Sequence, residues 1–148
     1  MSMKIQSSLF GEVEYNEKEV YHFEHGIPGF PEQRKFILVH VEDSPFLVLH
    51  SVAEDLYFFL IDPFSLFPGY EFKIPDAVIE QLAIEKTDDV LCYSIAVLRE
   101  PLEDSTANMV APVVLNKANR TGAQVVLENS AYSVRQPIFM KSREAAAK

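Results

Sequence analysis

The sequence predicts a mainly β, single-domain fold with antiparallel strands and one short helix near residues 75–83. Three observations carry that reading. Residues 36–41, 46–51 and 57–61 are nearly continuous apolar runs joined by connections too short for a crossover helix, so they read as antiparallel central strands. Two further β-branched runs, 113–115 and 125–127, flank a polar segment holding Asn119 and Gly122, residues that tolerate positive φ, and this pattern reads as a hairpin. Only residues 75–83 carry a convincing helical pattern: Pro75 suits a first helical position, Asp76 complements the N-terminus, and Val78, Ile79 and Leu82 form an apolar stripe.

The elements follow in order. Residues 4–9 and 12–15 read as two short strands around Phe10 and Gly11, and 20–23 as a third, with Val20 and His22 on one face and Tyr21 and Phe23 on the other. Gly-Ile-Pro-Gly-Phe-Pro at 26–31 concentrates turn formers into a tight, stiff loop whose Ile27 and Phe30 either pin it to the core or face a partner. After the three central runs, 62–70 reads as a long irregular connection carrying Phe64, Leu66, Phe67 and Tyr70. Such apolar groups must be buried under the loop or offered to a partner. A short strand at 71–74 precedes the helix, 90–98 is the longest strand, and 106–112 is a shaped loop in which Thr106 and Asn108 bond nearby backbone. Residues 128–131 turn the chain into a last edge strand at 132–135. Residues 1–140 are expected to form one domain, and the Ala-rich tail at 141–148 resembles a helical spacer.

Composition narrows the function. The chain of 148 residues carries 13 basic and 22 acidic side chains, a formal charge of -9; without the tail it has 10 basic and 21 acidic groups, or -11. Such a charge repels phosphate backbones and attracts basic proteins, which argues against direct nucleic-acid binding. Cys92 has no partner for an internal disulfide, there is no signal-peptide pattern, and no apolar run approaches membrane-spanning length; a soluble cytoplasmic protein is expected.

Chemistry-bearing motifs are scarce. His22 and His25 beside Glu24 lack metal-site spacing, His40 and His50 fall at the ends of apolar strands, and no nucleophile elbow or phosphate-binding loop is present. Cys92 lies in an apolar strand that raises a thiol's pKa. No catalytic residue, metal site or cofactor is therefore assigned.

Several motifs coincide in order along the chain: His-Gly-Ile-Pro-Gly-Phe at 25–30, Pro-Phe-Leu-Val-Leu-His-Ser at 45–51, Phe-Leu-Ile-Asp-Pro at 59–63, and Phe-Pro-Gly-Tyr at 67–70. Thr-Ala-Asn-Met-Val-Ala-Pro-Val-Val-Leu-Asn at 106–116 and Gly-Ala-Gln-Val-Val-Leu at 122–127 complete the set. Together they resemble the FliW family of flagellar assembly factors over about residues 4–135. The resemblance implies a small β-barrel-like, non-enzymatic protein with two partners, flagellin and the translational repressor CsrA. Free protein would antagonise CsrA's RNA binding while flagellin competes for it. Partner contacts are expected on the ordered loops: Ile27, Pro28 and Phe30; Phe64, Phe67 and Tyr70; and Thr106, Asn108 and Met109. An alternative is a small-ligand-binding β-barrel protein or enzyme using the aromatic 62–70 segment as its pocket.

Overall fold

A computed structural model describes residues 2–127 and 132–139. In chain order the strands are β1 (Ser2–Ser7), β2 (Gly11–Asn16), β3 (Tyr21–His22), β4 (Lys35–His40), β5 (Phe46–Ser51) and β6 (Tyr57–Ile61). Two short helices follow, α1 (Pro63–Leu66) and α2 (Asp76–Gln81). The chain continues with β7 (Val90–Val97), β8 (Thr106–Ala107), β9 (Val113–Asn116), β10 (Thr121–Gln124) and β11 (Gln136–Pro137).

β4, β5 and β6 form the expected antiparallel meander, with Leu38 opposite Leu49 and Leu47 opposite Leu60. β7 then pairs three times: Ser94–Ala96 run against β6, Val90–Tyr93 against β9, and Ala96–Val97 against β8. Since β9 pairs with β10, and β10 reaches β3 through one parallel bridge from Thr121 to His22, the sheet curls into a seven-stranded ring. β8 and β11 extend it as a flap beyond β7.

Period-two alternation decides which side chains fill this ring. Phe36, Leu47, Leu49, Leu60, Val113 and Leu115 point inward and meet Tyr21, Phe23 and Ile27 in one packed cluster. Residues of opposite parity point outward, and three layers cover them. The β1–β2 hairpin brings Tyr15, Ile5 and Val13 against Ile37 and Val39; α2 and its flanks set Leu82 on Val114 and Val125; and the aromatic 64–72 segment, with the 132–139 chain, covers Phe46, Ile61 and Ala96.

The hairpin follows its sequence pattern but differs in mechanism. Arg120, not Asn119 or Gly122, takes positive φ (56°). Gly122 is needed for space: an added Cβ would stand 2.6 Å from Leu115 Cδ2 and 2.7 Å from Phe23 Cζ. The apolar run 125–127 lies past the end of β10 but keeps its register, Val125 and Leu127 N–H donating to the Pro112 and Val110 carbonyls at 2.9 and 2.8 Å.

Other expectations are corrected. Among the described residues there are two short α-helices rather than one: Asp62 caps the first by accepting the Phe64 N–H at 2.9 Å, and Pro63 occupies its opening turn. Pro75 is the N-cap of α2, not a first helical residue, and Ala83, at φ 51°, ends that helix earlier than expected. Residues 71–74 join no ladder among the described residues; their apolar Phe72 and Ile74 instead pack onto the outer clusters. The last strand is Gln136–Pro137 rather than 132–135, because Ser133 Oγ accepts the Arg135 N–H and holds that stretch in a turn. The expected turn at 128–131 and the tail at 141–148 lie outside the described residues.

Candidate partner-binding surfaces

The turn at 26–31 is a rigid ridge. Ile27 and Phe30 face each other in a β-bridge, with the Phe30 N–H donating to the Ile27 carbonyl at 2.6 Å. Pro28 and Gly29 form its corner, and Gly29 at φ 90° supplies the conformation a type II turn demands at that position. At Gly26, with φ 66°, an added Cβ would meet the backbone of Phe30 and Pro31 at 2.7 Å. This geometry separates neighbours: Ile27 is buried inside the ring, while Pro28 and Phe30 are exposed. Phe30, 41% exposed, rests edge-on against Phe58 with ring centroids 5.7 Å apart. One flank of the ridge is an open cleft with Glu32, Gln33 and Glu54 on its walls.

The other two predicted loops meet in a second surface. Tyr70 is its hub: it is buried, its hydroxyl donates to the Met109 carbonyl at 2.8 Å, and its ring packs on Tyr132 at 4.6 Å and Phe64 at 5.6 Å. Desolvation, with smaller contributions from Tyr132 and Cys92, pushes the Tyr70 hydroxyl up to about 12. Met109 is fully buried, its sulfur accepting the Ser94 hydroxyl at 3.3 Å. Asn108 is half-buried and uses its side-chain oxygen to accept the Val110 and Ala111 N–H groups at 3.0 and 3.1 Å, the local backbone bonding its sequence suggested. Thr106 is half-buried in β8. The exposed members are Phe64 and Phe67, beside a groove of about 340 Å³ walled by Pro45, Ile61, Leu66, Ile138 and Phe139. Thus Ile27, Tyr70 and Met109 hold the loops in place, and Pro28, Phe30, Phe64 and Phe67 present themselves outward.

One constellation escaped the sequence reading. His50 is fully buried, with Nδ1 2.7 Å from the Ser51 carbonyl and Nε2 3.0 Å from Ser7 Oγ and 3.6 Å from Asp55 Oδ1. Ser7 Oγ already accepts the Leu9 and Phe10 N–H groups, so its own proton goes to Nε2 and the Nδ1 proton goes to the carbonyl. A nucleophilic triad would place serine and carboxylate on opposite ring nitrogens. Here both sit on Nε2, and the arrangement staples the β1–β2 turn to the barrel. The Ser8 N–H holds the Asp55 carboxyl below its ordinary range. Only contacts 43 and 47 residues apart reveal this staple, which no local motif announces.

Burial, then the nearby Asp62 charge, pushes the Cys92 thiol up to about 11, leaving it protonated and unreactive at neutral pH. No group of three potential metal ligands occurs among the described residues, and none of their helices is long and apolar enough to cross a membrane.

Comparison with known proteins follows the same outline. A family model described as FliW protein matches residues 4–138. The flagellar assembly factor FliW of Geobacillus kaustophilus (strain HTA426) is 44% identical over 138 residues, spanning 93% of this chain and 96% of its own. That of Bacillus subtilis (strain 168) is 40% identical over 138 residues, spanning 92% and 96%. A crystal structure of the flagellar assembly factor FliW superposes with a TM-score of 0.90 at 42% identity, covering 94% of this chain and 99% of that one.

Proposed function

This chain belongs to the FliW family of flagellar assembly factors, and on that premise we propose that it is a cytoplasmic, non-enzymatic regulator that binds CsrA and flagellin in competition. Free protein captures CsrA and weakens its hold on RNA; flagellin displaces CsrA from the protein. The partners themselves come from the family resemblance. The observation that carries a binding role is the combination of rigidly supported, exposed Phe30, Phe64 and Phe67 with a charge of -11 outside the tail. Aromatic side chains on fixed backbone bind at low entropic cost, and acidic surroundings favour a basic partner.

The charge also suggests how RNA is excluded. An acidic protein docked beside a basic RNA-binding surface repels incoming phosphates without occupying the RNA site. A coupling of about 1–3 kcal/mol, ordinary for allosteric pairs, lowers RNA affinity by about 5- to 150-fold. Calorimetric titration with purified CsrA, repeated with flagellin already bound, tests the switch. Saturable binding in the first titration and none in the second is the expected result; no binding of CsrA by the folded protein would overturn it.

A further inference from the structure

We propose that the outer edge of β10 beyond its bridge to β3, at Gln124 and Val126, is a docking site where an extended, cationic segment of a partner protein adds as a further strand. The parity of the ladder establishes the free edge. Thr121 and Ala123 pair with Asn116 and Val114 of β9, and the Val125 and Leu127 N–H groups donate to the Pro112 and Val110 carbonyls. Odd-numbered residues therefore turn their backbone groups toward β9, and even-numbered residues turn theirs the other way. β3 uses that other side only where it begins: the His22 N–H donates to the Arg120 carbonyl at 2.8 Å, and Thr121–His22 is the single bridge. Beyond His22 the chain bends away, Gly26 N–H closing onto the Phe23 carbonyl at 3.0 Å. Gln124 and Val126 are left with outward N–H and C=O groups that no described strand pairs.

What lies beyond the edge is a cleft of about 270 Å³. Gly122, Ala123 and Gln124 form one wall, and the rigid ridge at Gly26 to Gly29 forms the opposite one; Val78 and Gln81 of α2 also line it. From the Gly122 carbonyl to Val126 the free edge spans about 10–13 Å, enough to pair a short strand. Val126 is 62% exposed, an apolar β-branched side chain beside unpaired backbone, which is the usual invitation to strand addition. Charge selects the occupant further. No lysine or arginine lines the cleft among the described residues, and exposed Glu24 and Glu80 adjoin His25 and Gln81 on its walls. An acidic segment is repelled there, and one bearing lysine or arginine is favoured.

The inference rests on the reading of this chain as a partner-binding protein, but it does not depend on which protein supplies the segment. Its test is therefore independent of CsrA and flagellin. A displayed library of random linear peptides is selected on the intact protein and counter-selected on the Val126→Pro variant, which removes one outward N–H and leaves the ladder to β9 intact. Selected peptides should be rich in lysine or arginine, slow amide exchange at Gln124 and Val126 by tenfold or more in the unsubstituted protein, and bind the variant at least tenfold more weakly. The exchange measurement keeps the test decisive if the variant folds poorly. Recovery of no binders, of acidic binders, or of binders that leave the exchange of Gln124 and Val126 unchanged would overturn the proposal. Failure of CsrA and flagellin to bind, with basic peptides still protecting this edge, would sink the regulatory reading and spare the site.

Discussion

Replacing Phe30 by alanine tests whether the ridge is a plug, a contact or both. Phe30 is 41% exposed, so about three-fifths of its surface is covered, and the ring of Phe58 meets it edge-on at 5.7 Å. A fully buried Phe→Ala change costs about 3–5 kcal/mol, and scaling by the covered fraction leaves about 2–3 kcal/mol. For a domain of this length that corresponds to a fall in Tm of about 4–12 °C. Differential scanning calorimetry reads that fall, and titration at a temperature where the variant remains folded reads partner affinity. If Phe30 also touches a partner, affinity falls by about 30-fold or more, as expected for a buried aromatic anchor. Phe30→Leu separates the contributions: it keeps most of the apolar volume and loses about 0.5–1.5 kcal/mol of ring pairing. A Tm within 2 °C of the parent would refute the packing argument. Unchanged affinity for both partners would remove Phe30 from the binding surface.

Three further outcomes are expected. Gly122→Ala forces a methyl against fully buried Leu115 and Phe23, at 2.6 and 2.7 Å, and should cost about 1–3 kcal/mol in urea unfolding; a neutral result would show that the inside of the ring is loosely packed. Tyr70→Phe strands the Met109 carbonyl and should cost about 1–3 kcal/mol at neutral pH. Because folding raises the Tyr70 pKa from 10 to about 12, its contribution is complete below pH 10 and is lost as pH rises through 12, a swing of about 2–3 kcal/mol. The alkaline loss should shrink by that amount in the phenylalanine variant, the remainder belonging to groups such as Cys92 that are also raised, and an undiminished loss would assign it elsewhere. Reversing Glu42 and Asp43 to lysine should weaken RNA exclusion more than CsrA binding, with the effect shrinking as salt rises; equal loss of both would argue against charge repulsion.

What was legible in the sequence depended on the range of the determining contact. The central meander was legible because its apolar runs are long and their connections short, leaving antiparallel pairing as the available solution. Gly29 was legible because a Pro-Gly corner prescribes a local conformation. Gly122 was noticed for the wrong reason: its requirement is set by Phe23, 99 positions away in the chain, and no local rule carries that information. The same applies to the candidate surface. Exposed Phe64 and buried Tyr70 look alike in an irregular segment; only the distant Met109 carbonyl and the Tyr132 ring draw Tyr70 inward. The Asp-Pro pair at 62–63 was a helix-start signal that the surrounding aromatics obscured.

The two exposed aromatic surfaces share a wall, and this bears on how two partners exclude each other. Phe58 and Phe59 are successive residues of β6 and point to opposite faces: Phe58 supports Phe30, while Phe59 packs on Phe46 beside the Ile138–Phe139 groove. Signalling through that wall would need an element with two discrete arrangements. The strand is instead fixed on both sides, its Phe59 to Ile61 half paired with β5 and β7 and its side chains locked into two clusters. With one arrangement, such a strand gives neither surface a second state for the other to select. Partners seated on opposite faces of β6 would then bind independently, so the proposed competition between CsrA and flagellin requires that both sit on one face or that their bodies collide around the barrel's rim.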